Sequence, residues 1–278
     1  MRKKIKKDVG TVLCTILGLV VALISLFPLI WMALAGFKPE SEVLTVPIKI
    51  FPEKWVTESY ETLFSDPSYN FFQTFLVTLA VALLGAFLSL AVNMMAAYVF
   101  ARLEFPLKKL IWAVCISSMY IPGLTILLTS FLVVFNLGML NTVTVLVLPG
   151  VAAGYSIFFF RQFFMNLPAS LEEAALIDGC SRFGIFTRIF LPLSTSPMVI
   201  MGIGTFVGYW NSFMWPSMTI SDPALMQMMQ IIRSLRSAYS TKFGVVMAAS
   251  TLAAVPPIVL FLIFQKHIVK GIVLSGLK

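Results

Sequence analysis

A cluster of acidic and small residues within residues 167–192 carries the most informative chemistry of this sequence. Its members are Glu172, Glu173, Ala174, Ala175, Asp178 and Gly179. Carboxylates near a helix start interact favourably with the helix dipole, and alanine is the best helix former. Ser170 and Glu173 have the spacing of a capping box, and Gly179 suits the left-handed conformation that ends many helices. The pattern predicts a short, capped helix over residues 171–178.

A second short helix is predicted from about Ser181 to Phe190, with Pro192 starting the next long apolar segment. By helical spacing, one face of the first helix contains Leu171, Ala174, Ala175 and Asp178. An aromatic face of the second helix contains Phe183, Phe186 and Phe190. A protruding helix of this kind is suited to docking in a groove of another protein. Packing of the helix against its own domain explains the pattern equally well.

The sequence contains no phosphate-binding loop, and its single histidine argues against a metal cluster or a catalytic triad. His267 is the sole histidine, which rules out a histidine-based metal cluster and makes a catalytic triad implausible. No Gly-Lys pair occurs, so the phosphate-binding loop motif is absent. Cys14, Cys115 and Cys180 form no disulfide framework. We therefore predict a chain that is not an enzyme and binds no cofactor itself.

The elements that hold this cluster are predicted to lie in a membrane. Apolar residues make up 59% of the chain and charged residues 12%, whereas soluble domains have about 45–50% and about 25%. The longest uncharged stretch, 110–160, is about twice the length of one span and is divided near residues 136–141. The prediction is an all-α polytopic membrane protein with six transmembrane helices: 12–35, 73–100, 110–134, 142–160, 193–216 and 243–265.

The distribution of basic residues predicts the orientation. An even number of spans places both termini on one side, and the segments on that side carry most of the 20 Lys and Arg residues, so both ends are predicted to be cytoplasmic. The net charge of +8 then reflects topology and contacts with membrane lipid rather than nucleic acid. The predicted organisation is a basic N-terminus (1–11), a first span (12–35), an extracytoplasmic segment (36–70), a core with five spans (71–265) and its cytoplasmic loop (161–192), and a C-terminal tail (266–278).

The predicted spans offer uncharged polar and aromatic side chains for a solute pathway. No Asp, Glu, Lys, Arg or His lies inside them, which argues against proton coupling and more weakly against sodium coupling. The candidate pathway residues are Asn93, Tyr120, Tyr209, Trp210, Asn211 and Ser212. Such groups suit a neutral solute. Trp and Tyr are also common interfacial anchors, and a membrane Asn often bridges helices.

The spacing of Glu173-Ala174-Ala175, Gly179, Ile189 and Leu191-Pro192 resembles the cytoplasmic EAA signature of bacterial ATP-binding-cassette (ABC) importer permeases. Cys180 departs from the alanine that is frequent in the signature. Softer motifs agree in order and position, and they point to the carbohydrate-uptake branch that contains the maltose permease subunit. These motifs are 64–67, 96–102, 209–215, 244–249 and 265–271.

The resemblance implies a type I ABC importer permease in the bacterial inner membrane that forms half of a sugar pathway. The implied partners are a homologous second permease, two cytoplasmic ATPases that bind ATP and Mg, and an external sugar-binding protein. The implied ATPase-coupling residues are Glu172, Glu173, Ala174, Ala175, Asp178, Gly179, Ile189, Leu191 and Pro192. An oligopeptide or polyamine permease, an autonomous facilitator, an ion-coupled carrier and a structural scaffold remain alternatives.

Overall fold

The computed structural model describes residues 2–236 and 242–275, and within these ranges all regular structure is helical. Three helical segments are long and apolar enough to cross a membrane unbroken: Gly10–Ala35, Phe71–Arg102 and Phe243–Ile268. They coincide with the first, second and sixth predicted spans. Two bent helix pairs bring the count of possible spans to five. The described residues divide into two compact units, 1–71 with 231–255 and 72–230 with 256–278.

The first unit contains the predicted extracytoplasmic segment. Its helices are α1 (Arg2–Ala35), α2 (Glu40–Val43) and α3 (Glu58–Ser65), followed by the last turn of α14 (Met228–Ser234) and the first turns of α15 (Phe243–Ser275). Both carboxylate oxygens of Glu40 accept hydrogen bonds at the start of α15, from Phe243 N at 2.7 Å and Gly244 N at 3.0 Å. Glu40 therefore caps α15 with a charge that its dipole favours.

α1 is exposed along its apolar length, from Gly10 to Ile30. Such a surface is expected for a helix that faces lipid or another membrane protein. At its C-terminal end, a Cβ atom at Gly36 would lie 3.2 Å from Ala248 Cα, so the glycine allows the backbones of α1 and α15 to approach closely.

The second unit contains the remaining helices. They are α4 (Phe71–Arg102), α5 (Lys108–Ser117), α6 (Leu127–Asn136), α7 (Val143–Val147), α8 (Gly154–Met165), α9 (Ala169–Ile177), α10 (Arg182–Ile185), α11 (Leu191–Leu193), α12 (Thr195–Trp210) and α13 (Met214–Thr219). An aromatic cluster joins α4, α8 and the residues after α10, with Phe160, Phe164 and Phe190 almost completely buried. The cluster fixes the base from which α9 extends.

The predicted span 110–134 is not one continuous helix. α5 passes into a 3₁₀ turn, Ser118–Tyr120, and α6 begins only at Leu127. Pro122 and Gly123 lie in the gap, where proline supplies no backbone donor and glycine has a weak helix preference. The predicted span is therefore corrected to two helices.

The predicted spans 142–160 and 193–216 are also modified. The first is the pair Val143–Gly150 and Gly154–Met165, bent by 48°. In the second, Arg182–Leu193 meets Thr195–Trp210 at 82°, so the straight part of the span begins at Thr195 and ends at Trp210. By contrast, Pro256 and Pro257 lie within the continuous helix α15.

Candidate coupling helix and translocation pathway

The short helix predicted at 171–178 is α9, which begins and ends differently from the prediction. Pro168 occupies the N-cap position and no side chain caps the helix, so Ser170 lies within the first turn and the predicted capping box is wrong. The C-terminal prediction is confirmed, because Gly179 has φ +77° and Cys180 N donates to Ala175 O at 2.9 Å. This is the hydrogen bond of a Schellman motif.

One face of α9 is packed against its own domain. Glu172 and Ala175 are both 7% exposed. Ala175 is the one buried member of the predicted face, whose other residues, Leu171, Ala174 and Asp178, are exposed. The Glu172 carboxylate forms an ion pair with Arg182, and its Oε2 lies 3.8 Å from Arg102 Nε. This face of α9 therefore packs against the chain's own domain, which is one of the two alternatives that the sequence left open.

Arg102 joins the ends of several helices at this point. Its Nη2 donates to Phe164 O and Leu167 O, both at 2.6 Å, at the C-terminal end of α8. Its guanidinium lies 5.1 Å from the centre of the Phe190 ring. Because Arg102 also ends α4 and faces Glu172, it links α4 and α8 to α9. This role of Arg102 was not predicted from the sequence, where its position at the end of motif 96–102 was the one signal.

The opposite face of α9 is open. Glu173, Ala174 and Asp178 are exposed, and the Ile177 side chain is 86% exposed. Phe183 of α10 is 67% exposed, whereas Phe186 and Phe190, which were predicted to share its face, are buried in the aromatic cluster. Exposed apolar side chains beside small and acidic residues are typical of a protein-interaction surface. We call Glu173, Ala174, Ile177, Asp178 and Phe183 the outer surface of α9–α10.

The remaining signature residues connect this surface to α12. The predicted second helix is α10 followed by a π-helical segment, Phe186–Phe190, and α11. Ile189 and Leu191 pack against the aromatic cluster, and Pro192 is exposed at the start of α11. The buried Ser194 donates its hydroxyl to Phe190 O at 2.6 Å just before the 82° bend into α12. A short, continuously packed segment therefore joins α9–α10 to α12.

A cavity of about 260 Å³ lies where the broken helices meet α12 and α13. Its lining includes Gly123, Ser130, Gly150, Tyr209, Ser212 and Trp215. Tyr209 donates its hydroxyl to Val147 O at 2.9 Å, and Trp215 donates Nε1–H to Val145 O at 2.8 Å. The breaks thus find hydrogen-bond donors in neighbouring helices, as irregular backbone in a membrane protein requires.

The cavity contains only part of the predicted pathway set. Tyr209 and Ser212 line it, whereas Tyr120 and Asn211 are exposed elsewhere. Asn93 is fully buried and Trp210 is 1% exposed, with the indole between Phe75 and Phe206. In this structure Trp210 is therefore a packing residue, and the Asn93 amide hydrogen-bonds to the backbone that precedes α8. Ser130 and Trp215 were missed, although Trp215 ends motif 209–215.

The position of Tyr209 depends on two glycines. A Cβ atom at Gly85 would lie 2.6 Å from Tyr209 Cε2, and one at Gly150 would lie 2.7 Å from the Tyr209 hydroxyl. Tyr209 is anchored to Val147 and has little freedom to move away. These glycines therefore set the shape of the cavity.

We expect Gly85→Ala to lower the free energy of unfolding by about 1–3 kcal/mol because it overpacks a fixed ring. Thermal unfolding of the purified chain measures the effect. Gly204→Ala in α12 is the matched control, since a Cβ atom there would have no neighbour within 4 Å and alanine favours a helix. Equal unfolding midpoints for the two variants would contradict the tight contact at Tyr209.

Comparison with known proteins identifies relatives across nearly the whole chain. The family model described as "Binding-protein-dependent transport system inner membrane component" matches residues 93–273. The chain is 31% identical over 254 residues to the probable ABC transporter permease protein YurM of Bacillus subtilis (strain 168), a match that covers 91% of this chain and 83% of YurM. It is 30% identical over 266 residues to the arabinooligosaccharides transport system permease protein AraQ of the same organism, covering 95% and 94%.

A solved structure confirms the fold. The chain superposes with a TM-score of 0.81 on a chain from the crystal structure of a bacterial ABC transporter involved in the import of the acidic polysaccharide alginate. The match covers 94% of this chain and 96% of the other, at 19% sequence identity. The predicted architecture of an ABC importer permease is therefore confirmed.

Proposed function

Because this chain belongs to the family of binding-protein-dependent transport system inner membrane components, we propose that it is a permease subunit of an ATP-driven carbohydrate importer. It forms half of the solute pathway in a bacterial inner membrane, with a homologous permease as the other half. Two cytoplasmic ATPases bind ATP and Mg, and an external binding protein delivers the sugar. This chain itself binds no cofactor and catalyses no reaction.

The observation that carries the proposal is the two-sided environment of α9. Its inner side is fixed by the Glu172 ion pair, while Glu173 and Ile177 on the outer surface are exposed. A helix held on one side presents its other side to a partner at little cost in conformational entropy. The outer surface docks on an ATPase, and the continuous segment from Ile189 through Leu191 and Pro192 transmits ATPase closure to α12.

The cavity at the helix breaks supports a neutral, hydroxylated solute. Aromatic faces from Tyr209 and Trp215 stand beside the hydroxyls of Ser130 and Ser212, and the lining contains no charged side chain. Sugars bind through hydrogen bonds together with apolar contact on aromatic rings. A polyamine would leave its charges unpaired in such a site, which disfavours that alternative. The arabinooligosaccharides in the name of AraQ agree with a carbohydrate.

Reconstitution in liposomes tests the proposal. The complete complex is expected to show ATP-dependent uptake of a neutral oligosaccharide when its loaded binding protein is present, because the energy source lies in the partner chains. Liposomes with this chain alone are the control and are expected to show no uptake. Sugar uptake by the chain alone would instead identify a facilitator, and stimulation of the ATPases only by a peptide-loaded or polyamine-loaded binding protein would exclude a carbohydrate.

A further inference from the structure

A second cavity, of about 480 Å³, lies in the second unit and shares no lining residue with the cavity at the helix breaks. The end of α4, the residues before α5, the first turn of α5 and part of α8 surround it. Its charged lining residues are Glu104, Lys108, Lys109 and Arg161, and Trp112 forms part of its aromatic wall. We call it the basic pocket.

The basic pocket has an excess of positive charge. Lys108 Nζ lies 2.9 Å from Glu104 Oε1 and also donates to Leu103 O at 2.7 Å, so this ammonium is already neutralised. Within the described part of the chain, neither Lys109 nor Arg161 forms an ion pair. Two cations without a carboxylate partner therefore remain for an anionic ligand.

Arg161 is held in position for such a ligand. Its guanidinium carbon lies 4.3 Å from the centre of the Trp112 ring, and its Nε donates to Phe100 O at 3.2 Å. Phe100 and Phe158 pack on the same indole with ring centres 5.2 Å and 6.4 Å from it. These contacts fix the guanidinium plane. Among the residues that the structure describes, none hydrogen-bonds to its two terminal nitrogens, and a guanidinium binds a phosphate with two hydrogen bonds through such nitrogens.

Apolar side chains continue outward from the basic pocket. Leu107 is 68% exposed, Leu110 is 60% exposed and Ile111 is 46% exposed, all next to the two lysines. Trp112 lies one turn into α5, and tryptophan is enriched at membrane–water interfaces. By the predicted topology this end of α4 and α5 is cytoplasmic, and the cytoplasmic leaflet is rich in anionic lipids.

We propose that the basic pocket binds the phosphate headgroup of an anionic phospholipid from the cytoplasmic leaflet. Lys109 and Arg161 contact the phosphate, Trp112 contacts the glycerol region, and the acyl chains lie along Leu110 and Ile111. A lipid matches both halves of this surface, because a soluble phosphate would leave the exposed leucines uncovered. The site is independent of which solute the complex transports.

Native mass spectrometry of the detergent-solubilised full chain, with its co-purifying subunits, tests this site. We expect phosphatidylglycerol to bind more tightly than phosphatidylcholine with the same acyl chains. Each basic residue near a membrane surface contributes about fivefold in affinity, so Lys109→Gln is expected to weaken phosphatidylglycerol binding about fivefold and the Lys109→Gln, Arg161→Gln double variant about 25-fold. Arg188→Gln, an exposed cation outside the pocket, is the control.

The outcomes separate the possible occupants. Equal affinity for the two lipids would overturn the proposal. An equal loss of phosphatidylglycerol affinity in Lys109→Gln and Arg188→Gln would overturn it as well. Displacement of phosphatidylglycerol by an equimolar amount of inorganic phosphate would identify a general phosphate site and would also overturn it. Because Lys109 is exposed, its single variant keeps the test valid if the double variant fails to fold. Protection of Lys109 from labelling by a partner subunit, with no lipid bound, would show that a protein covers the pocket instead.

Discussion

Glu173→Ala is expected to lower sugar uptake by the reconstituted complex at least tenfold while the chain itself remains folded. The Glu173 side chain is exposed on the outer surface of α9–α10 and forms no ion pair within the described residues. Loss of an anchor at a docking surface weakens binding by about tenfold or more. Uptake and ATPase stimulation by the loaded binding protein are the measurements, and both are expected to fall at least tenfold.

Glu172→Gln is the matched variant, because it removes the neighbouring charge from the opposite face of the same helix. The glutamine keeps the shape of the side chain but leaves Arg102 and Arg182 without their carboxylate. Arg182 is half-exposed, so the loss is smaller than for a fully buried pair. We expect the free energy of unfolding to fall by about 1–3 kcal/mol, whereas Glu173→Ala leaves it almost unchanged.

These two variants distinguish docking from internal support. If Glu173→Ala lowered the unfolding midpoint as much as Glu172→Gln, Glu173 would be a structural residue and the outer surface would be wrongly assigned. If the folded Glu173→Ala variant transported sugar at the normal rate, the ATPase would not depend on this carboxylate. A co-purification measurement locates the defect, since less ATPase is expected to remain bound to the Glu173→Ala permease.

The different environments of two adjacent glutamates show where sequence analysis reached its limit. Alanine content and Gly179 predicted a short helix and its end correctly, because both effects are local. The helix start was wrong because Pro168 occupies the N-cap in place of Ser170. Only the folded chain separates Glu172 from Glu173, since Arg102 reaches Glu172 from the distant end of α4.

Helix breaks were also predictable only in part. Pro122 and Pro149 occur at breaks, whereas Pro256 and Pro257 lie inside a continuous helix. Proline weakens a helix locally, but a break in a membrane persists only where the freed backbone groups find partners. Those partners come from other helices, and a single sequence does not reveal them. Asn93 is the clearest example.

Asn93→Leu is therefore expected to destabilise the chain strongly. The Asn93 side chain is fully buried in α4, and it donates to Val151 O at 2.8 Å and accepts from Ala153 N at 2.9 Å. These backbone groups lie in the break between Leu148–Gly150 and α8. Leucine fills a similar volume but leaves both groups unpaired, at a cost of about 1–3 kcal/mol each. Thermal unfolding of the purified chain is expected to show a loss of about 2–6 kcal/mol in the free energy of unfolding.

Asn211→Leu separates a structural asparagine from one that contacts solute. Asn211 carries the same amide but is exposed after the end of α12, so its replacement is expected to leave the unfolding midpoint nearly unchanged. A stable Asn93→Leu variant with altered sugar selectivity would return Asn93 to the solute pathway. A destabilised Asn93→Leu variant would show that the Asn93 amide supplies hydrogen bonds to backbone groups that an interrupted helix cannot pair within itself.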